Sequence, residues 1–155
     1  MNKAYKFRIH PNVAQIIMFA KTFGCVRFVY NKMLGEKIAY YKETEQTLKV
    51  TPAKYKPEFE FLKEVDSLAL ANAQMNLERA YKNFWNDKSV GFPQFKSKHK
   101  SKTTYTTNLV NGNIELANGY LKLPKVGKVK IKQHREIPEH YTLKSVTVQR
   151  TPSGK

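Results

Sequence analysis

The sequence predicts a mixed α+β protein: a helical first half, then a small, strongly basic β-barrel. Three observations carry this. Apolar residues recur every three or four positions from Val13 to Tyr41 and again from Leu70 to Phe84, the spacing of amphipathic helices. After Val90 short β-rich segments take over, punctuated by Gly, Pro and Asn. Charge divides near the same place: residues 88–155 hold 14 of the 28 Lys and Arg but only three of the 12 acids.

The elements follow in order. Residues 4–9 alternate apolar and basic side chains, the period of a half-buried strand. His10-Pro11-Asn12 stops that strand and offers a helix start. From Val13 to Tyr41 the helical stripe runs through Ile16, Ile17, Phe19 and Ala20, then Phe23, Val26, Val29 and Tyr30, then Met33, Leu34 and Ile38. Gly24 interrupts it, marking either a tight turn between two helices or a close packing point. Gly35 weakens the later helix by about 1 kcal/mol relative to Ala, so a packing reason is expected there. Glu43-Thr44-Glu45-Gln46 reads as loop, and Thr51-Pro52 as the cap and first position of a short helix to about Leu62, bent at Pro57. Asp66 or Ser67 caps the next helix, whose stripe is Leu70, Ala73, Leu77, Ala80, Tyr81 and Phe84. Trp85 is assigned to the core.

Beyond Gly91 the expected strands are 103–109, 114–116, 120–123, 128–132 and 143–149. Asn111-Gly112 and Asn118-Gly119 are hairpin signals, and short strands at this spacing suggest a small barrel. The last residues, Thr151-Pro152-Ser153-Gly154-Lys155, read as a hairpin turn with no second strand, which suggests a chain cut short, by design or naturally.

A chain of 155 residues with 41% hydrophobic content can bury a core, so disorder is not the expectation. The formal charge of +16 repels itself and attracts polyanions. Nucleic acid is the leading partner class; solubility alone and an anionic membrane are the alternatives. The single cysteine, Cys25, excludes an internal disulfide and reads as a small buried hydrophobe. There is no signal-peptide pattern, and no uninterrupted apolar run approaches the ~20 residues needed to span a bilayer, so the cytoplasm is expected.

Catalytic groups are sparse. One Cys and the scattered His10, His99, His134 and His140 do not make a zinc site. No Gly-rich phosphate loop is present, and the β half offers only Glu115, Glu136 and Glu139, too few for a two-metal centre. Catalysis by this chain alone is not expected, and neither a cofactor nor a metal is.

Binding groups are plentiful. Lys96, Lys98, Lys100 and Lys102 alternate with Ser97, His99 and Ser101, so an extended chain would point all four ammonium groups one way, towards a phosphate backbone. The alternative is a solvated, mobile linker. Phe92 and Phe95 flank Pro93 and either anchor this linker, the favoured reading, or stack on bases. Lys128, Lys130 and Lys132 share one strand face, opposite Val129 and Ile131; Lys122 and Lys125 lie nearby. Arg27, Tyr30 and Asn31 share a helix face and could contact nucleic acid or form a structural hydrogen-bond cluster.

Five blocks, taken in order, resemble the N-terminal part of the TnpB (OrfB) proteins of bacterial insertion sequences. They are residues 4–12; Thr22-Phe23-Gly24-Cys25-Val26-Arg27-Phe28-Val29-Tyr30-Asn31; residues 76–85; Gly91-Phe92-Pro93-Gln94-Phe95-Lys96-Ser97-Lys98; and residues 121–130. The resemblance covers essentially the whole chain. It implies an oligonucleotide-binding-like barrel, the wedge, formed by residues 1–10 and 91–155, with a helical recognition bundle, residues 11–90, inserted. It also implies guide RNA and double-stranded DNA as partners, in a bacterial or archaeal cytoplasm. Relatives continue into a RuvC-like nuclease domain with three acidic metal ligands and a zinc finger, so divalent metal and zinc are expected only beyond this region. Block alignment places the face reading target-adjacent DNA around Val50 and Lys54, at Ser67, Leu68 and Ala71, and at Val110-Asn111. Ala71 and Val110 could touch a thymine methyl but not hydrogen-bond through their side chains. Gln94 stands where many relatives are basic. Two other readings remain: a stand-alone regulator using residues 12–44 as a helix-turn-helix, and a structural module whose basic face supports a nuclease domain.

Overall fold

The computed structural model describes residues 2–153. Strand β1 spans Arg8–His10, helix α1 Val13–Thr44 and helix α2 Ser67–Asn86; strands β2 to β6 are Thr103–Asn108, Glu115–Ala117, Tyr120–Leu123, Gly127–Lys132 and Ser145–Arg150. The α+β class holds, but the barrel does not close. The strands form two antiparallel sheets, one ordered β1-β5-β4-β3 and the other β2-β6. β1 pairs with β5, Arg8 opposite Lys132 and His10 opposite Lys130. Both helices are therefore inserted, in sequence, between two strands of one sheet.

α1 starts where the sequence placed it. The Asn12 side chain accepts from Gln15 N and the Gln15 side chain accepts from Asn12 N, each at 2.9 Å, a capping box that satisfies two end amides. Gln15 Nε2 also donates to the Lys128 carbonyl at 2.8 Å, fixing the first turn of α1 to β5. The helix then runs unbroken past Gly24, so neither a turn nor a second helix forms there. It stops at Glu45, whose left-handed backbone (φ 57°) lets its N–H donate to the Tyr41 carbonyl. By length and composition alone α1 could cross a bilayer; its inward face instead builds both cores of the protein.

The first core lies under the sheets, where Phe19 and Phe23 of α1 and Ala69 of α2 meet Tyr105, Ile114, Leu123, Val129 and Val148. The second lies between the helices: Val29, Met33 and Leu34 of α1 pack on Leu70 and Leu77 of α2 and on Val50, Tyr55, Leu62 and Val65 of the connection. Fully burying such a side chain contributes roughly 1.5–3 kcal/mol relative to leaving it exposed. Val26 touches both cores, which couples them along α1.

Other local expectations divide between those met and those corrected: Ile16 and Ile17, each 52% exposed, and Ala20 lie off the buried stripe of α1. The segment after Pro52 forms two short 3-10 turns, Pro52–Tyr55 and Glu60–Glu64, not one bent helix; Thr51 makes no side-chain cap. Asn118-Gly119 closes the β3-β4 hairpin with positive φ at both residues. Asn111-Gly112 has the same signs but carries the chain from one sheet to the other, because β2 pairs with β6 and β3 with β4. Trp85 is 55% exposed, held against Phe84 and under the Lys88 ammonium rather than in the core. Asp66 is the cap of α2, accepting from Leu68 N at 3.0 Å.

Candidate nucleic-acid interface

Pleat and pairing decide which charges share a face. In β5 Val129 and Ile131 are buried while Lys128, Lys130 and Lys132 are exposed, as the alternation predicts. Directly opposed residues of an antiparallel pair lie on the same side of the sheet. Arg8 opposes Lys132, His10 and Tyr120 flank Lys130, and Lys122 opposes Lys128. The outer face of the four-stranded sheet thus carries Arg8, Lys122, Lys128, Lys130 and Lys132, with Glu115, opposite Lys122, at its edge. Residues i and i+2 of β5 are about 6.6 Å apart and strands about 4.8 Å, so the cations form a dense grid. Arg8 and Tyr120 were not expected in it, because the register that brings β1 beside β5 is not a local property of either segment.

A second basic surface lies where α1, α2 and the start of β2 meet. Arg27, Lys96 and Lys102 line a cleft of about 180 Å³ with Asn76, Ser97, Ser101 and Thr104. The Lys-Ser run is not extended as expected. Ser101 N donates to the Ser97 carbonyl at 3.1 Å, Ser97 N to Ser101 Oγ at 3.0 Å and Lys100 N to Ser97 Oγ at 3.0 Å. These bonds fold residues 97–101 into a turn, so Lys98 and Lys100 at its exposed tip do not share one edge with Lys96 and Lys102.

The linker is anchored. Asn31 Nδ2 donates to the Lys96 carbonyl and Asn31 Oδ1 accepts from Lys96 N, while Lys96 Nζ lies 4.7 Å above the Tyr30 ring. Asn31 thus makes a structural hydrogen-bond pair, while Tyr30 offers Lys96 its ring face; burial pushes the Tyr30 phenol up. Phe92 packs edge-on against Tyr81 and Phe84, and Phe95 lies 3.8 Å from where a Cβ on Gly35 would sit. That separation is ordinary van der Waals contact, so a methyl would fit and the packing reason expected for Gly35 is not found.

The remaining candidates fall into two groups. Ser67, Leu68 and Ala71 begin α2, and Asn111 stands exposed in the turn after β2 (φ 53°). Hydrogen bonds that sequence reasoning missed connect these places. Asn72 Nδ2 donates to the carbonyls of Leu68 and Thr106 and to Asn108 Oδ1, Asn113 Nδ2 to the Asn108 carbonyl, and Val110 N to Asn113 Oδ1. By contrast Val50 is buried in the helical core and cannot read DNA, and Lys54 is engaged by Glu36 at 3.0 Å. Among the described residues no three His, Cys, Asp or Glu side chains come together.

Comparison with known proteins bears on this arrangement. A helix-turn-helix domain model of the insertion-sequence OrfB proteins matches residues 1–46, which here comprise β1 and one unbroken helix. A Streptomyces pristinaespiralis protein, named as a candidate RNA-guided DNA endonuclease, is 34% identical over all of this chain and 40% of its own length. The Escherichia coli K12 protein InsQ, similarly named, is 28% identical over 96% of this chain and 38% of its own. The virulence protein VsdF of Salmonella dublin is 37% identical over 64% of this chain and 96% of its own. The chain thus spans 40% and 38% of the length of the first two.

Proposed function

Because this chain belongs to the TnpB (OrfB) family of insertion-sequence proteins, we propose that it is the nucleic-acid-binding region of an RNA-guided DNA endonuclease, acting in the cytoplasm on guide RNA and target-adjacent duplex DNA. The two sheets serve as the wedge, residues 1–10 and 91–155, and residues 11–90 as the recognition part. Cleavage, with its divalent metal and zinc, belongs to sequence outside this region, and the chain alone does not cut.

The observation that carries the reading is the outer sheet face, where Arg8 opposes Lys132 and Lys122 opposes Lys128. Like charges placed directly opposite destabilise a sheet. A phosphate backbone reverses the sign of that interaction and releases its own counterions. The Arg27, Lys96 and Lys102 cleft adds a second set of donors. Ser67, Leu68, Ala71 and the Asn111 turn, held together through Asn72 and Asn108, form the surface that faces duplex DNA beside the target.

A second reading, a stand-alone helix-turn-helix-like regulator, is favoured by the domain match over residues 1–46, although α1 runs unbroken through Gly24. The test is a salt titration of binding to an RNA hairpin and to duplex DNA. Affinity should fall steeply with salt, and replacing Lys128, Lys130 and Lys132 with Ala should flatten the log–log slope by about 2–3. A salt-independent affinity would overturn the reading.

A further inference from the structure

Glycine is among the least favourable residues in a helix interior, so a glycine there asks for a reason. At Gly35 a Cβ would meet the Phe95 ring at an ordinary van der Waals distance of 3.8 Å. At Gly24, inside unbroken α1 and without a positive φ, a Cβ would meet nothing within 4 Å among the described residues. What it borders is a groove of about 420 Å³, lined also by Arg27, Phe28, Asn31, Lys32 and Phe61.

The lining has two halves. One wall is aromatic: Phe28 meets Phe59 at 4.8 Å and Phe61 at 5.3 Å, both edge-on, and Phe61 remains 44% exposed. The other half is cationic, with Arg27 one turn beyond Gly24 and Lys32 above the Phe59 ring at 5.3 Å. Neither cation is in an ion pair among the described residues. The Asn31 amide is already committed to Lys96, so no side-chain amide is left to read a base edge.

We propose that this groove takes one unstacked nucleobase of a bound single strand, lying against Phe61, with its phosphate on Arg27 and Lys32 and with Gly24 leaving the space. The volume lies within the ~300–1,000 Å³ usual for ligand pockets. Stacking on an aromatic ring without edge hydrogen bonds accepts any base. The inference rests on the nucleic-acid reading and adds a single-strand site on α1, apart from the basic sheet.

The test uses the full chain, a single-stranded oligonucleotide containing 2-aminopurine, and a duplex of equal length. Gly24→Leu fills the groove without removing a charge and replaces glycine with a better helix former. It should weaken single-strand binding about tenfold and abolish the 2-aminopurine signal, with duplex affinity and melting temperature kept or raised. Phe61→Ala should do the same, and Phe61→Trp should restore binding. Unchanged single-strand affinity in Gly24→Leu, or an equal loss for the duplex, would overturn the proposal. No binding of either probe by the unaltered chain would overturn the broader nucleic-acid reading, and the groove with it.

Discussion

Asn31 holds the backbone of Lys96 by both faces of its amide, donating to the carbonyl at 2.9 Å and accepting from the N–H at 2.8 Å. A side chain on α1 thereby does for the linker what a neighbouring strand would do. It fixes the point from which residues 97–101 turn and sets Lys96 over Tyr30. Removing it leaves two half-buried backbone groups without partners. Asn31→Ala should destabilise the chain by about 1–3 kcal/mol in denaturant unfolding. Hydrogen exchange at Lys96 to Lys102 should quicken; unchanged protection there would show that the clasp does not hold the linker.

Glu36 predicts a pH dependence. Burial raises its carboxyl, but the hydrogen bonds from Tyr55 and Lys54 and the charges of Lys54 and Lys32 outweigh this, leaving it below its ordinary range. A carboxylate depressed in the folded state contributes stability that is present above its unfolded pKa of about 4.3 and is lost as pH falls through the folded value. Glu36→Gln should therefore be less stable at neutral pH and lose less on acidification, read from unfolding curves at pH 7 and below 4. Parallel losses in both proteins would count against the Glu36 contribution.

How far the sequence revealed these features depended on the range of the interaction. The Asn12 cap, the Asp66 cap, the Asn118-Gly119 turn and the alternation of Lys128 to Lys132 are set by neighbours a few residues away, and all were legible. The pairing of Arg8 with Lys132 was not, because it depends on how two distant segments meet over a shared core. Barrel closure failed for the same reason: strand spacing says nothing about which strands pair. Gly24 misled because a helix-breaking tendency of about 1 kcal/mol is small beside the burial of Phe23, Val29 and Tyr30 around it. The turn of the Lys-Ser run came from reciprocal Ser97 and Ser101 bonds that a pattern of alternating charges conceals.

The basic sheet predicts opposite effects on stability and binding. Lys128 opposes Lys122, and Arg8 opposes Lys132. Lys128→Thr removes one like-charge pair and supplies a better strand residue, so the protein alone should gain about 0.2–1 kcal/mol at low salt. The same change should weaken oligonucleotide binding and reduce its salt slope by about 1. A variant that is less stable, or that binds as tightly, would mean that these charges do not serve to hold an anionic partner.

Thr107 offers the sharpest test of the β2-β6 sheet. It is fully buried, and its Oγ1 has no hydrogen-bond partner among the described residues, although the neighbouring Thr106 pairs its own hydroxyl with Thr147 at 2.8 Å. Leaving a hydroxyl buried and unsatisfied costs about 1–3 kcal/mol on mutational scales. Valine has nearly the same shape, keeps the β-branch that strands favour, and has no polar group to desolvate. Thr107→Val should therefore raise unfolding stability by about 1–2 kcal/mol without a change in m-value, since the exposed surface on unfolding is nearly the same. Thr106→Val, which would break the Thr106–Thr147 pair on the half-buried side, should gain nothing. Destabilisation by Thr107→Val would mean that a bridging water satisfies the hydroxyl, a result that a conserved solvent peak beside Thr107 would corroborate.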